Sequence, residues 1–306
     1  MATVAEAPPA LKAVVLLNVE AGTAAREGLR PEELRRLFGD AGLDVEVEAV
    51  PTATLRDRAR HAAAAGADCV VAAGGDGTVG TVASALVGTR AALGILPVGT
   101  RNHFARDLGL PTDLPAAILT IAHGHVRVVD VGEVNGRVFV NNASIGLYPE
   151  MVEERERRQH LGWRKNVATL WAGVVALRRF RMVHLRLAAA GGSERLKTPF
   201  VFVGNNQYAM SLFALGTRAC LDDGRLSLYT ANIDRRFSLA RIVVLALLGR
   251  LEQTRDFQQR CVSEAWLDSR WWRLRVALDG EVLSLVPPLH FRARPGALRV
   301  MVPEPA

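Results

Sequence analysis

The sequence has few cysteines and no long hydrophobic run, and these two absences exclude several classes of protein. Its three cysteines, Cys69, Cys220 and Cys261, lie far apart in a chain of 306 residues. An odd number without metal-ligand spacing argues against a disulfide framework and a zinc site, and favours a reducing cytosol. The longest apolar run, Ile242 to Leu248, is too short to span a bilayer.

Lysine is also rare, although the chain is strongly basic. Only Lys12, Lys165 and Lys197 are lysines, yet the formal net charge is +7. A basic surface suits nucleic acid, anionic lipid or phosphate ligands, and coding bias in a GC-rich genome is an equally good explanation of the arginine excess. Residues 1–10 lack the pattern of a signal peptide and are expected to be a disordered leader. The length suffices for two ordinary domains.

One glycine-rich stretch suggests a phosphate site. Val70 to Ala83, with the sequence VVAAGGDGTVGTVA, predicts a buried strand, a turn and the start of a helix. Gly74, Gly75 and Gly77 let the backbone approach a ligand closely, and amides at a helix start favour a phosphate. Asp76 fits beside a phosphate when a metal ion lies between them. A tight turn with Asp76 as helix N-cap is the alternative.

A second glycine turn follows the next predicted strand. Leu93 to Pro111 has the sequence LGILPVGTRNHFARDLGLP, in which Leu93–Leu96 predicts a strand and Thr100 or Asn102 caps a helix. Two neighbouring parallel strands would bring both turns to the sheet edge where α/β proteins bind ligands.

These two turns together resemble those of the diacylglycerol kinase catalytic-domain family, which includes bacterial lipid kinases and sphingosine kinases. The motifs are GGDGT at 74–78 and PVGTRNHFA at 97–105, and the resemblance extends along nearly the whole chain. It implies ATP and Mg²⁺ as cofactors, and it places Asp76 at both the metal and the reaction. The implied nucleotide-binding residues are Asn18, Gly74, Gly75, Asp76, Gly77, Thr78, Thr100 and Asn102.

The resemblance also implies partners and a location. ATP and a lipid substrate at a membrane surface are the expected partners, nucleic acid is not, and a homodimer is left open. The expected location is the cytoplasm, peripheral to the inner membrane surface. Two basic amphipathic stretches, 149–180 and 237–251, either border a lipid cleft or are ordinary helices with a solvated face.

Strand–helix alternation in the first half predicts an α/β fold with a doubly wound parallel sheet. We expect a nucleotide-binding domain over 1–132 and a second, antiparallel β-sandwich domain for the lipid over 133–296, with helical insertions. Asn135-Gly136 predicts a two-residue hairpin turn at the start of that second domain. A last strand within 297–306 is expected to return to the first domain.

Three further acids gain roles from the resemblance. Asp279-Gly280-Glu281 looks like the Asp-Gly-Glu of bacterial lipid kinases, which makes Glu281 the base for the lipid hydroxyl; from the residues alone it is a hairpin turn. Asp130 matches a family pattern and would hold a water on the magnesium, or simply end a strand. Asp223, in CLDDGR, matches the ligand of a structural Mg²⁺, and a metal-free turn is the alternative.

The chain also departs from the family pattern. His103 stands where many members have Asp, and Val19 follows Asn18 where Pro is usual. Thr52 lies near the place of a nucleotide-contacting Thr, but ungapped spacing puts Ala49 there. The predicted function is transfer of the γ-phosphoryl of ATP to a lipid hydroxyl. A soluble-substrate kinase of the NAD kinase type and a non-catalytic nucleotide- or lipid-binding protein are the alternatives.

Overall fold

The computed structural model describes residues 11–20, 29–146, 149, 182–189, 192–210, 215–218, 220–231 and 257–304. The chain divides into two compact units, which we call the first unit (Met1–Val128 with Leu298–Ala306) and the second unit (Val129–Ala297). The predicted leader 1–10, the amphipathic stretch 149–180 apart from Pro149, and the stretch 237–251 lie outside the described residues. None of the described helices is long and apolar enough to cross a bilayer.

The first unit is a parallel sheet with helices between its strands. Its elements in chain order are β1 (Ala13–Asn18), α1 (Pro31–Asp40), β2 (Val45–Val50), α2 (Thr52–Ala64), β3 (Cys69–Gly74), α3 (Asp76–Leu86), β4 (Ala92–Pro97), α4 (His103–Asp107) and α5 (Leu114–His123). The strands pair in parallel in the order β2–β1–β3–β4. The final strand of the chain, Leu289–Val302, ends beside β4, with Val300 opposite Leu93 in parallel. Residues 298–302 of this strand thus belong to the first unit.

The core of the first unit lies on both faces of this sheet. Phe38 of α1 and Ile118 of α5 pack with Val71 of β3 in one buried cluster. Leu55 of α2 and Val82 of α3 are fully buried, and these two helices contact each other and the strands β1 and β3. Each such side chain contributes about 2 kcal/mol when it leaves water. Helices on both faces confirm the doubly wound α/β prediction.

The second unit is antiparallel. Its strands are β5 (His125–Val134, which begins in the first unit), β6 (Arg137–Phe139), β7 (Asn142–Gly146), β8 (Val183–Ala189), β9 (Gly192–Thr198), β10 (Phe200–Asn205), β11 (Tyr208–Met210), β12 (Leu215–Arg218), β13 (Leu226–Ala231), β14 (Phe257–Val262), β15 (Glu264–Ser269), β16 (Leu274–Leu278), β17 (Glu281–Leu285) and β18 (Leu289–Val302). One layer has the order β14–β13–β10–β7–β16–β17, and the other pairs β18–β15–β8–β9. Val201 and Leu228 from the first layer share one buried core with Leu187 and Phe291 from the second. This packing confirms the predicted sandwich.

Several local predictions are confirmed and others are wrong. Asn135 and Gly136 have φ of 46° and 78° and join β5 to β6, as the hairpin signal indicated. The last strand was expected within 297–306, but it begins earlier, at Leu289, and runs to Val302. The strand β9 was missed because it lies at the edge of its layer and consists mostly of polar and charged residues, GSERLKT. Such a strand lacks the apolar run that marks a buried one.

Candidate active site

The two predicted glycine turns lie side by side at the carboxyl ends of β3 and β4. Gly74 is the register partner of Pro97 in the parallel pair. A Cβ on Gly99 would lie 2.5 Å from the Cα of Gly75, so the two turns touch through their backbones. Only glycine allows this approach. The structure therefore confirms that both motifs meet at one edge of the sheet.

Asp76 joins these two turns. It is the first residue of α3, and its Oδ1 accepts a hydrogen bond of 2.7 Å from the backbone amide of His103 at the start of α4. Within the described residues its second oxygen makes no hydrogen bond, and the side chain is partly exposed. The N-cap of α3 is Gly75, so the alternative in which Asp76 caps its own helix is wrong. One carboxylate oxygen is fixed, and the other is available to a ligand.

Asn102 stabilises the second turn from within. It is buried and adopts the left-handed conformation, with φ 49°. Its Nδ2 donates to the carbonyls of Pro97 and Gly99 at 2.7 and 2.9 Å, and its Oδ1 accepts from the Gly99 amide at 3.2 Å. Asn102 is thus at the N-cap position of α4, but its side chain does not cap the helix. Thr100, in the same turn, is exposed.

Asn18 ties the end of β1 to the same sheet edge. Its Nδ2 donates to Oγ1 of Thr78 at 2.9 Å and to Oγ1 of Thr52 at 3.2 Å. Asn18 and Thr78 are both buried. A Cβ on Gly74 would lie 2.3 Å from Oγ1 of Thr78, which explains the glycine there. The structure places Thr52 in this group, although the sequence spacing favoured another residue.

The start of α3 is suited to an anion. The first amides of a helix have no partner inside the helix and carry the positive end of its dipole. Gly77 is exposed, and a Cβ there would meet no atom within 4 Å. A phosphate can therefore approach the start of α3 from solvent at Gly77, within a turn that also carries the Asp76 carboxylate.

Glu281 belongs to the second unit, and the Asp-Gly turn before it has a structural role that the sequence did not indicate. Asp279 and Gly280 have φ of 48° and 94° and connect β16 to β17. The Asp279 carboxylate accepts hydrogen bonds of 2.8 to 3.0 Å from the amides of Val140, Asn141 and Asn142. Glu281 is the first residue of β17 and is exposed.

Two opposing effects act on the pKa of Asp279. Loss of water around the carboxyl raises the pKa of Asp279, while the three amides and the positive charge of Arg218 oppose that rise. Arg218 is buried and donates to the Val140 carbonyl at 2.6 Å and to Oδ1 of Asn141 at 3.1 Å. These contacts fix the turn from which Glu281 projects. An Asp before Gly signals only a hairpin, so this role could not be found in the sequence.

The structure also brings together Asp130 and the turn that contains Asp223. The buried Asp130 accepts the Gly224 amide on Oδ2 at 2.6 Å and the Gly296 amide on Oδ1 at 2.8 Å. Its own amide donates to the Leu221 carbonyl at 2.8 Å. Asp223 precedes Gly224 and is exposed. Both carboxylate oxygens of Asp130 thus bind backbone, and the metal roles of the two acids stay predictions.

A magnesium ion fits the residues at the first-unit site. In the described part of the chain, no three His, Cys, Asp or Glu side chains are grouped so as to hold a metal. Mg²⁺ bound to a nucleotide needs only one or two carboxylates, because phosphate oxygens and water complete its shell. Asp76, with one oxygen anchored by His103 and one uncommitted, supplies that kind of ligand.

Comparison with known proteins decides the family. Residues 12–134 match the model of the diacylglycerol kinase catalytic domain. Residues 148–302 match the model described as the YegS C-terminal NAD kinase beta sandwich-like domain. The chain belongs to the diacylglycerol kinase family. The first of these matches contains both glycine turns of the candidate site.

A relative with a lipid-kinase name supports this assignment. A Pseudomonas aeruginosa protein named "Probable lipid kinase YegS-like" is 36% identical over 253 residues, which are 79% of each chain. An uncharacterized protein of Synechocystis is 28% identical over 240 residues, 76% of this chain, and the match spans about half (54%) of that longer relative. A Bacillus anthracis structure titled as a diacylglycerol kinase covers 97% of this chain and 98% of its own, with a TM-score of 0.67. At 18% identity, that likeness supports the fold alone.

Proposed function

We propose that the protein is an ATP-dependent lipid kinase, which transfers the γ-phosphoryl of ATP to a hydroxyl of diacylglycerol or a related lipid. The observation that carries the proposal is the hydrogen bond from His103 to Asp76, which fixes a carboxylate where two glycine turns meet. Membership of the diacylglycerol kinase family supports the same chemistry. Phosphoryl transfer needs mainly positioning and charge stabilisation, which such a site can provide.

The first unit would hold the nucleotide. The amides of Gly77 and Thr78 would donate to phosphate oxygens, with Thr100 exposed on the neighbouring turn to add a hydroxyl. Mg²⁺, when bound, supplies charge neutralisation on the phosphates, and the free oxygen of Asp76 would hold it. Asn18 would keep Thr78 in place through its 2.9 Å hydrogen bond.

The second unit would supply the base. Glu281 is exposed at the start of β17, so its carboxylate is open to a substrate hydroxyl. In the proposed reaction it accepts the hydroxyl proton as the lipid oxygen attacks the γ-phosphorus, while the bond from the γ-phosphorus to the bridging oxygen breaks and ADP leaves. Asp279 would act as a positioning residue, because its carboxylate anchors the turn to residues 140–142. The substrate lies in a bilayer, so the protein would act in the cytoplasm at the inner membrane surface.

The experiment is a transfer assay with labelled ATP and Mg²⁺ over total bacterial lipids in mixed micelles. We expect one labelled lipid with the natural chain. Asp76→Asn keeps an oxygen for the His103 amide but removes the charge, and should reduce turnover by about 100-fold or more. Glu281→Gln should reduce turnover by about 100-fold and leave ATP binding unchanged.

Three results would contradict the proposal. Phosphorylation of NAD without lipid would favour the soluble-substrate kinase. Tight ATP or lipid binding without turnover over all lipid fractions would favour a non-catalytic protein. If Asp76→Asn turned over about as fast as the unsubstituted protein, the charge of Asp76 would not be needed for the reaction.

A further inference from the structure

The turn between β15 and β16 presents two adjacent tryptophans to solvent. Trp271 and Trp272 are 63% and 76% exposed, which are the highest values among the large apolar side chains of the described residues. A tryptophan usually buries 150–250 Å² of surface, approximately, on folding or binding. Exposed apolar groups of this size, next to each other at the tip of a turn, mark a surface that contacts something else.

This turn is held firmly by the sandwich below it. Leu267 before it and Leu274 after it are buried in the core of the second unit. The amide of Trp271 donates to Oγ of Ser269 at 3.2 Å, and the amide of Ser269 donates to Oδ1 of Asp268 at 2.8 Å. The two indoles therefore project from a short connection between the two layers, with a buried residue shortly before and directly after it, and such an ordered segment loses less entropy on binding.

The charge around the tryptophans is positive. Over residues 268–275, with the sequence DSRWWRLR, three arginines accompany one aspartate. The guanidinium of Arg273 lies over the Trp272 ring, 4.8 Å from its centroid. Neither Arg270 nor Arg273 forms a salt bridge with any described carboxylate, and both are exposed. Within the described residues these two charges are therefore available to an anionic surface.

We propose that residues 270–273, the Trp turn, dock the protein on an anionic phospholipid bilayer. Tryptophan favours the interface between headgroups and acyl chains, because its ring is apolar while its N–H stays hydrated. Arg270 and Arg273 would contact lipid phosphates, each strengthening the attraction to an anionic leaflet. A protruding tip with two indoles can enter a bilayer, whereas a protein partner would need a broad complementary face. The inference concerns binding alone and does not depend on the kinase reaction.

The experiment measures binding of the full chain to vesicles by co-sedimentation. The vesicles are phosphatidylcholine, with and without roughly 30% phosphatidylglycerol. Trp271→Ala/Trp272→Ala should bind at least about tenfold more weakly to the anionic vesicles. Arg270→Gln/Arg273→Gln should lower the affinity for anionic vesicles about tenfold and change the affinity for neutral vesicles little. Added salt should likewise lower the affinity of the unsubstituted protein for anionic vesicles.

Leu119→Ala is the matched control, because Leu119 is a half-exposed apolar residue on α5 of the first unit. It should bind vesicles like the natural chain. Lipids brominated near the headgroup should quench the tryptophan fluorescence of the unsubstituted protein more strongly than that of a Trp271→Phe/Trp272→Phe variant. Thermal melting shows that each variant is folded.

Two outcomes would overturn the inference. Unchanged vesicle binding by the folded double tryptophan variant is the first. The second is a variant that becomes monomeric where the unsubstituted protein is a dimer, while its vesicle affinity stays the same. The Trp turn would then contact a second copy of the chain. The double tryptophan variant should phosphorylate a water-soluble short-chain lipid as well as the unsubstituted protein does. The docking proposal and the proposed function can therefore be rejected independently of each other.

Discussion

The backbone amide of His103 lies 2.7 Å from Oδ1 of Asp76, and this hydrogen bond connects the first residues of two consecutive helices. Asp76 therefore has two separable properties. One carboxylate oxygen holds the two helix starts together, while the negative charge and the other oxygen are available to bind a ligand. Substitutions can therefore be chosen that remove either property alone.

Asp76→Asn and Asp76→Ala should differ in stability. The Asn amide oxygen can still accept from the His103 amide, so the free energy of unfolding should change by less than about 0.5 kcal/mol. Ala removes the acceptor and should lower it by about 1 kcal/mol. Denaturant unfolding measures both. His103→Ala is the control, since it keeps the backbone amide and should behave like the Asn variant; equal stability of Asp76→Asn and Asp76→Ala would contradict the role of this bond.

Gly99→Ala and Gly77→Ala make a matched pair at the two turns. The new methyl at 99 would lie 2.5 Å from the Cα of Gly75, so the turns must separate. We expect a loss of about 1–3 kcal/mol in unfolding free energy, and weaker ATP binding. At 77 the methyl meets no atom within 4 Å, so stability should be unchanged or slightly higher. Reduced ATP affinity in a fully stable Gly77→Ala would indicate that the phosphates approach this residue.

Asp279 and Glu281 should also separate stability from activity. Asp279→Ala leaves three backbone amides without their acceptor and should lower the unfolding free energy by about 2 kcal/mol. Glu281→Gln alters an exposed residue and should change it by less than about 0.5 kcal/mol. Denaturant unfolding and lipid phosphorylation are measured on both variants. A stable Asp279→Ala variant would show that the turn does not need this carboxylate.

The three cysteines should react in a fixed order with Ellman's reagent at about pH 8. Cys261 is exposed and should react first; Cys220 should follow more slowly, because its hydrogen bond to Asp222 raises the pKa of its thiol. Cys69 should stay unreactive until unfolding, since burial raises its pKa to about 12. Labelled peptides identify each site. Early labelling of Cys69 in the native protein would contradict its burial.

The raised pKa of Cys69 predicts that the stability of the protein depends on pH. The folded pKa of Cys69, about 12, lies above its unfolded value. A raised folded pKa means that the stabilising contribution is complete below the unfolded pKa and is lost as pH rises toward the folded one. Stability should therefore fall above about pH 8.5 by an amount that Cys69→Ala abolishes. Unfolding free energies from neutral pH upward test the sign.

Features that depend on neighbouring residues could be predicted from the sequence. Apolar runs that are followed by glycine turns located β3 and β4, and the residue types Asn-Gly and Asp-Gly located two hairpin turns. Parallel pairing of adjacent strands then placed both glycine turns at one edge. Each of these inferences needs only local conformational preference and the regular geometry of a parallel sheet.

Features that depend on tertiary distance could not be predicted. The residue that captures the Asp76 carboxylate lies 27 positions further along the chain, and the partners of Asp279 lie 137 to 139 positions earlier. No spacing rule specifies such contacts. Trp271 and Trp272 resemble core residues in sequence, and only their exposure in the structure distinguishes them from buried aromatics.

The position of Val300 opposite Leu93 has a consequence for biosynthesis. Residues 298–302 give β4 its neighbour on one side, yet a ribosome makes them after all of 129–297. The nascent first unit must therefore wait, with that side of β4 unpaired, while the residues 129–297 emerge, a delay of roughly ten seconds or more. Translation speed across the sandwich would then set how long this open edge is exposed to other chains.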